Sequence, residues 1–456
     1  MAKKIVICID GTNNQIGERP TNVLRLYMGL RKDATQAAHY ILGVGSANST
    51  QILGALRQQF WSVLGMGFGL GLEDDVLNAY RYLCRTYDGA GLPDRRPDHE
   101  RDRIYIAGFS RGAYGARVLA GFIHNFGLVT PDQLHLIAPV FRAYRRITDA
   151  DGGESHDTVF RAMREYDAAL RPQPVPIRSL LLWDTVSSMI RFRRPWRNLA
   201  RHGSLIEFGT HANVNANGSV RIVLHALAID EKRSLFRPQL WAERADAPPR
   251  YHGNRFKRQG SERRQYVRQR WFAGYHSDIG GSPLEDEAGI GKITLLWMLD
   301  TLAAIEAEAD AEDRAIALAT GNWAAPEPGL ALYRGHRTNY WEGGSRKTTP
   351  GGRAYSKADP RAPIHDSHRP GGLATLAWHA FEIVPKSIAR RAPGRPAWVR
   401  RGLWKWYLPL KEPRVIPHVP DNPAFHAVDA SVWVRHAACP DYRPEALASR
   451  RPAEET

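Results

Sequence analysis

The chain has 456 residues, 43% of them hydrophobic, which is enough to bury a full core and excludes a disordered or fibrous class. Its formal net charge of +16 implies an anionic partner, and a phospholipid surface meets that need as well as nucleic acid does. Three cysteines, Cys8, Cys84 and Cys439, have no metal-type spacing, so a disulfide framework is unexpected and synthesis in a reducing cytoplasm is expected.

The first apolar run, in MAKKIVICIDGT, is broken by Asp10 and Gly11 well before it reaches signal-peptide length, so it is expected to be a strand. No window approaches the roughly 20 uninterrupted apolar residues of a membrane span. Thr21 is the expected N-cap of a helix over NVLRLYMGLRK, and AAHYILGVGS supplies a second strand. The run Gly67-Phe68-Gly69-Leu70-Gly71 lacks the Lys-Ser/Thr of a phosphate loop and reads as close backbone packing. A helix over EDDVLNAYRYLCRTY and a polar loop lead to the strand IYIA and the pentad Gly108-Phe109-Ser110-Arg111-Gly112, with AYGARVLAGFIHNFG helical beyond it.

Strand, sharp turn and helix around Gly-x-Ser-x-Gly is the context of a nucleophile elbow, and it makes Ser110 the expected nucleophile. Residues 131–175 read as a polar helical insertion, and IRSLLLWDTVSS as a strand finishing at Asp184. Residues 190–217 are basic and loop-rich, with 190–203 a candidate substrate-covering loop. SVRIVLHALAIDEKRSLF fits either a strand or a helix, RQRWFAGYHSDIGG a strand entering a glycine turn, and KITLLWMLDTLAAIEAEAD an amphipathic helix. Such alternation predicts an α/β fold with a doubly wound, mainly parallel sheet. The expected core spans 1–310 with insertions at 131–175 and 190–217, and a Pro/Arg/Trp-rich region, 311–456, packs on it.

A serine nucleophile needs a base and an acid, each at the end of a later strand in the order acid then histidine. Asp184 and His276 satisfy both conditions. His225 lies inside an apolar run and reads as a core or supporting histidine, while Asp278 is the alternative acid or a turn-capping residue. Asp230 and Glu231 are weaker alternatives for the acid. An oxyanion hole would take one amide from Arg111 and one from Gly11 or Thr12. Asp10 could suggest an aspartyl-phosphate enzyme, but that chemistry wants a second aspartate where Thr12 stands. Asp10 therefore reads as the turn that positions those amides.

The ordered blocks ICIDGTNN, YILGVGS, GFSRGAYGARVLAGFI, WDTVSS, HALAIDEKR and WFAGYHSDIGG resemble the catalytic domain of the type VI secretion phospholipase effectors of the first lipase class, over roughly residues 1–310. The resemblance implies an α/β-hydrolase core, hydrolysis of phospholipid acyl esters, the nucleophile at Ser110, the acid at Asp184 and the base at His276. It also implies a secretion-system or immunity partner, with export by a non-classical route after synthesis in the cytoplasm.

The alternatives are a soluble carboxylesterase acting on non-lipid esters and a non-catalytic basic binding protein on a hydrolase scaffold. No cofactor and no metal are expected. Nucleic acid is not the expected partner, because no helix-turn-helix, zinc finger or RNA-binding aromatic motif is visible. Peripheral contact with an anionic membrane is expected instead. The segment 394–410 interleaves Trp398, Trp404, Trp406 and Tyr407 with Arg400, Arg401 and Lys405, a pattern that fits a lipid interface or lid and ordinary amphipathic packing equally well.

Overall fold

A computed structural model describes residues 2–11, 17–43, 71–92, 100–149, 156–186, 190–192, 206–208, 214–242, 250–251, 263–317, 326–366, 386–387, 406–407, 411–419, 422 and 425–448. Among them, seven strands form one sheet: β1 (Lys4–Ile9), β2 (Gln36–Ile41), β3 (Arg103–Phe109), β4 (Ile177–Trp183), β5 (Val220–Ala228), β6 (Tyr266–Phe272) and β7 (His426–Val428). The spatial order is β7-β6-β5-β4-β3-β1-β2, and every pairing is parallel. The four strands β1, β3, β4 and β5 are buried along their whole length, which explains their nearly continuous apolar sequences.

Successive side chains of a strand point to opposite faces, so each strand feeds two cores. Ile5, Ile7 and Ile9 join Val76, Tyr80 and Leu83 of helix α2 (Leu72–Thr86) and Tyr114, Val118 and Phe122 of helix α3 (Arg111–Phe126). Val6 and Cys8 meet Val23 and Leu26 of α1 (Asn22–Gly29) on the other face. Thr21 caps α1 by accepting the Leu24 N–H at 3.1 Å, as the sequence predicts. The insertion after α3 forms helices α4 (Ile137–Asp149) and α5 (His156–Leu170). They are less peripheral than their polar composition suggests, because Ile137, Val140, Phe141, Tyr144 and Met163 enter the α3 core.

The stretch read as strand or helix at 220–228 is a strand. The turn expected after Tyr275 is instead a short helix, α6 (His276–Gly280), because Asp278 accepts the Tyr275 N–H at 2.8 Å and closes its first turn. The following helix, α7 (Gly289–Ala317), lays Leu295, Met298 and Leu302 on the α1 face and runs through residue 310, the expected core boundary. Beyond it, β7 pairs with β6 at Gln269–His426 and is followed by α8 (Ala430–Ala438), so the C-terminal region supplies an edge strand of the sheet. Among the described residues no helix is long and apolar enough to cross a membrane. The segment 394–410, apart from the short strand at Trp406–Tyr407, most of 190–203, and Gly67–Leu70 lie outside the described residues.

Sheet order reverses between β1 and β3, since β2 lies on one side of β1 and all later strands lie on the other. Crevices for ligands form outside the carboxyl ends of strands at such a switch point. Ser110 follows β3 there, and Asp10–Gly11 follow β1.

Candidate active site

Two glycines make the turn at Ser110 possible. A Cβ on Gly112 would stand 2.2 Å from the Ile9 carbonyl oxygen, and one on Gly108 would stand 2.5 Å from that of Gly112. Backbone lies against backbone at both positions, so no side chain fits. Ser110 itself has φ 58° and ψ −122°, a conformation that costs on the order of 1–3 kcal/mol for a non-glycine residue and persists only where the surroundings impose it. Its N–H donates to Trp183 O at 3.0 Å, tying the turn to the end of β4.

At that end of β4, Asp184 also has positive φ, 39°, and is fully buried. His276 opens α6 after β6. Its Nδ1 lies 2.5 Å from Asp184 Oδ2 and its Nε2 lies 2.8 Å from Ser110 Oγ. The carboxylate only accepts, so Nδ1 carries the proton and the Nε2 lone pair faces the serine hydroxyl. Phe109 and Phe236 flank the imidazole at ring-centroid distances of 4.8 Å each. Gly280 leaves room for this arrangement, because a Cβ there would stand 2.1 Å from the Phe109 ring.

Burial pulls His276 below the ordinary imidazole value, with Asp184 opposing, so the ring is neutral and basic at physiological pH. Burial alone would raise Asp184, but the Arg414 guanidinium and the hydrogen bond from His276 hold it well below the usual carboxylate range. No pattern in the sequence points to Arg414. Its Nη1 donates to Asp184 Oδ1 at 2.6 Å and its Nη2 to Oδ2 at 2.9 Å.

The alternative acids stand elsewhere. Asp278 accepts the backbone N–H groups of Tyr275 and His365, and its Oδ1 pairs with His365 Nδ1 at 2.7 Å, so its carboxylate caps α6. Asp230 accepts from the Gly274 N–H and the Tyr442 hydroxyl. Glu231 pairs with Arg233 at 2.7 Å and accepts the His276 backbone N–H at 3.3 Å. His225 lies behind Asp184. Its Nε2 accepts the Thr185 N–H at 3.1 Å, which braces the residue after the acid, and Arg117 and Gln269 flank its Nδ1.

Of the expected oxyanion donors, Arg111 begins α3, and the first N–H groups of a helix have no acceptor within it. Gly11 departs from expectation. Its N–H donates to Asp10 Oδ1 at 2.6 Å, because the Asp10 side chain folds back over its own turn while Oδ2 accepts from Thr21 and Tyr40. Thr12 lies outside the described residues.

Comparison with known proteins adds the family. A curated relative, the uncharacterized protein YEL023C of Saccharomyces cerevisiae, is 27% identical over 243 residues, 52% of this chain and 32% of that one. A crystal structure of an uncharacterized protein from Pseudomonas aeruginosa aligns at 19% identity over 65% of this chain and 45% of that one, with a TM-score of 0.30. The Tle1 effector bound to the VgrG spike from the type 6 secretion system aligns at 17% identity over 63% of this chain and 52% of that one, with a TM-score of 0.28. The chain thus spans about a third of the curated relative and about half of each solved chain. The family model described as "T6SS, Phospholipase effector Tle1-like, catalytic domain" matches residues 3–301, and the chain belongs to that family.

Proposed function

We propose that this chain is a serine hydrolase of carboxylic esters, acting on the acyl esters of phospholipids. The observation that carries the reading is the continuous hydrogen-bonded relay from Asp184 through His276 to Ser110, at the switch point of a parallel sheet. Membership of a phospholipase effector family supports the lipid substrate and export by a type VI secretion system.

The geometry supports a definite order of steps. Nε2 of His276 takes the Ser110 proton as Oγ bonds to the ester carbonyl carbon. The resulting tetrahedral oxyanion receives the Arg111 N–H. Collapse breaks the bond to the leaving alcohol, which takes the proton from Nε2, and an acyl group remains on Ser110. Water, deprotonated by the same nitrogen, then attacks the acyl carbon; collapse breaks the bond to Oγ, which takes the proton back from Nε2, and the carboxylic acid leaves. Asp184 fixes the imidazole tautomer and stabilises the imidazolium of each step. With the Gly11 amide engaged by Asp10, the second oxyanion donor falls to Thr12 or to a rearranged Gly11 turn.

A fluorophosphonate probe tests the reading directly. Wild-type protein should be labelled and Ser110→Ala should not, with ester turnover lost by several orders of magnitude while the fold persists. Equal labelling of the two would overturn the mechanism. Release of fatty acid from phospholipid vesicles, compared with turnover of short soluble esters, tests the substrate class, and activity confined to the soluble esters would point to a carboxylesterase.

A further inference from the structure

The carboxylate that orients His276 is held by the part of the chain beyond the family-matched residues. Asp184 is fully buried, and among the described residues its oxygens have four donors. Oδ1 accepts the Ala228 N–H at 3.1 Å and Arg414 Nη1 at 2.6 Å; Oδ2 accepts Arg414 Nη2 at 2.9 Å and His276 Nδ1 at 2.5 Å. Without Arg414, one amide and one imidazole N–H of these four donors would remain for a buried anion, a state that the low-dielectric interior strongly disfavours.

The guanidinium is itself fixed. Nη1 also donates to Ala228 O at 2.9 Å and Nη2 to Phe236 O at 2.5 Å, so one side chain clamps the end of β4, the end of β5 and the loop that carries Phe236 against the imidazole. The segment around it is anchored as well: Glu412 pairs with Arg237, and Ile416 is buried beside Leu227, Trp271 and Val428. Only a planar two-pronged donor satisfies both carboxylate oxygens and both carbonyls together, which a lysine cannot do.

Resting on the ester-hydrolase reading, we infer that Arg414 is a positioning residue of the reaction, one that locks the Asp184 carboxylate toward His276 Nδ1 and offsets its charge, so that residues 411–419 complete the active site. Two consequences follow from its position. Loss of the fork frees Asp184 to turn from the imidazole, which lowers kcat. Loss of the positive charge leaves the carboxylate unopposed, which makes imidazolium formation easier and shifts the acid limb of the rate profile to higher pH.

The other groups facing His276 remain in place under that change. Glu231 and Arg233 pair with each other at 2.7 Å, Phe109 and Phe236 are uncharged, and Asp278 is engaged by His365. His225, behind Asp184, is held neutral by burial and by Arg117.

The test uses full-length protein and a soluble acyl ester, with kcat, KM, pH profile, thermal melting and fluorophosphonate labelling measured for wild type, Arg414→Gln and Arg414→Lys. Arg414→Gln should lose about 10²-fold in kcat, the scale of a misplaced catalytic group, with KM little changed and the acid limb moved upward. Arg414→Lys keeps the charge, so its limb should stay at the wild-type pH while kcat falls by about tenfold through loss of the fork. A folded Arg414→Gln with wild-type kcat and limb would overturn the inference, as would a rate loss with the limb unmoved. Should Arg414→Gln fail to fold, a wild-type kcat in Arg414→Lys would overturn it equally. If wild-type protein shows no Ser110-dependent labelling or turnover, the hydrolase reading fails first and this inference falls with it.

Discussion

Both ends of the parallel sheet bury charge, and they use it in opposite ways. At the amino ends, each of four strands carries a basic side chain at its first or second residue: Lys4, Arg103, Arg178 and Arg221. Helix α7 answers with Glu306, Asp310 and Asp313, spaced four and three residues apart and so on one face. Asp310 accepts from Arg103 at 2.8 and 3.0 Å and from Arg178 at 2.7 Å, and Glu306 accepts from Arg178 and the Tyr105 hydroxyl. Arg178 and Arg221 also approach Asp313, at 3.7 and 3.9 Å. Charges there meet charges in ordinary backbone conformations. At the carboxyl ends, Ser110 and Asp184 hold positive φ, and the buried carboxylate faces a neutral imidazole and one arginine. Cancellation at one end serves folding; the strained, partly compensated arrangement at the other can serve chemistry.

The largest expected separation comes from removing one carboxylate at each end. Asp184→Asn should lower kcat by roughly 10³–10⁴-fold, the scale known for a triad left in the wrong tautomer, whereas Asp310→Asn should leave kcat per folded molecule unchanged. Steady-state kinetics normalised to folded protein, measured by circular dichroism, checks this, and a large kcat loss in Asp310→Asn would break the comparison.

Next in size is stability. Asp310→Asn removes the bidentate partner of buried Arg103 and one of the two close carboxylates of Arg178, and should cost about 3–5 kcal/mol in denaturant unfolding.

The pH dependence is smaller and sharpens the distinction. Burial keeps His276 below its ordinary 6.5, so kcat/KM should hold down to that pH and fall only as acid protonates Nε2. The unfolded chain takes up this proton at higher pH than the folded one, so stability also declines as pH drops below 6.5. A limb centred above 6.5 would contradict the neutral imidazole.

Asp230 provides the mildest case. Burial pushes its carboxyl up to about 6, against hydrogen bonds from Gly274 and Tyr442. A raised folded value means stability is lost as pH rises through about 6, so Asp230→Asn should be more stable than wild type at pH 8 and lose that advantage by pH 4. Thermal melts at the two pH values decide it.

The proximity of Ser110, Asp184 and His276 was legible because each closes an apolar run, and in a parallel sheet the ends of such runs share one edge. The elbow glycines were legible for the same local reason. Edge strand β7 was not, since it is three residues long in a proline-rich stretch. The acids of α7 were hidden differently: EAEADAED looks like a solvated helix surface, and only the basic strand starts beneath it make those carboxylates internal. The engagement of the Gly11 amide by Asp10 was not legible, because a side chain folding back on its own turn leaves no periodic signal.

By itself, the order of amino acids determined the parallel α/β architecture, the turn at Ser110 and the strand ends that carry an acid and a histidine, since these follow from periodicity and from short-range backbone sterics. Tertiary structure alone decided that Arg414, 230 residues from Asp184 in the chain, would grip that carboxylate. A single arginine among 63 basic residues has no local pattern, and its partner is selected by the burial of an anion whose donors among the described residues, at Ala228, His276 and Arg414, are all distant in sequence.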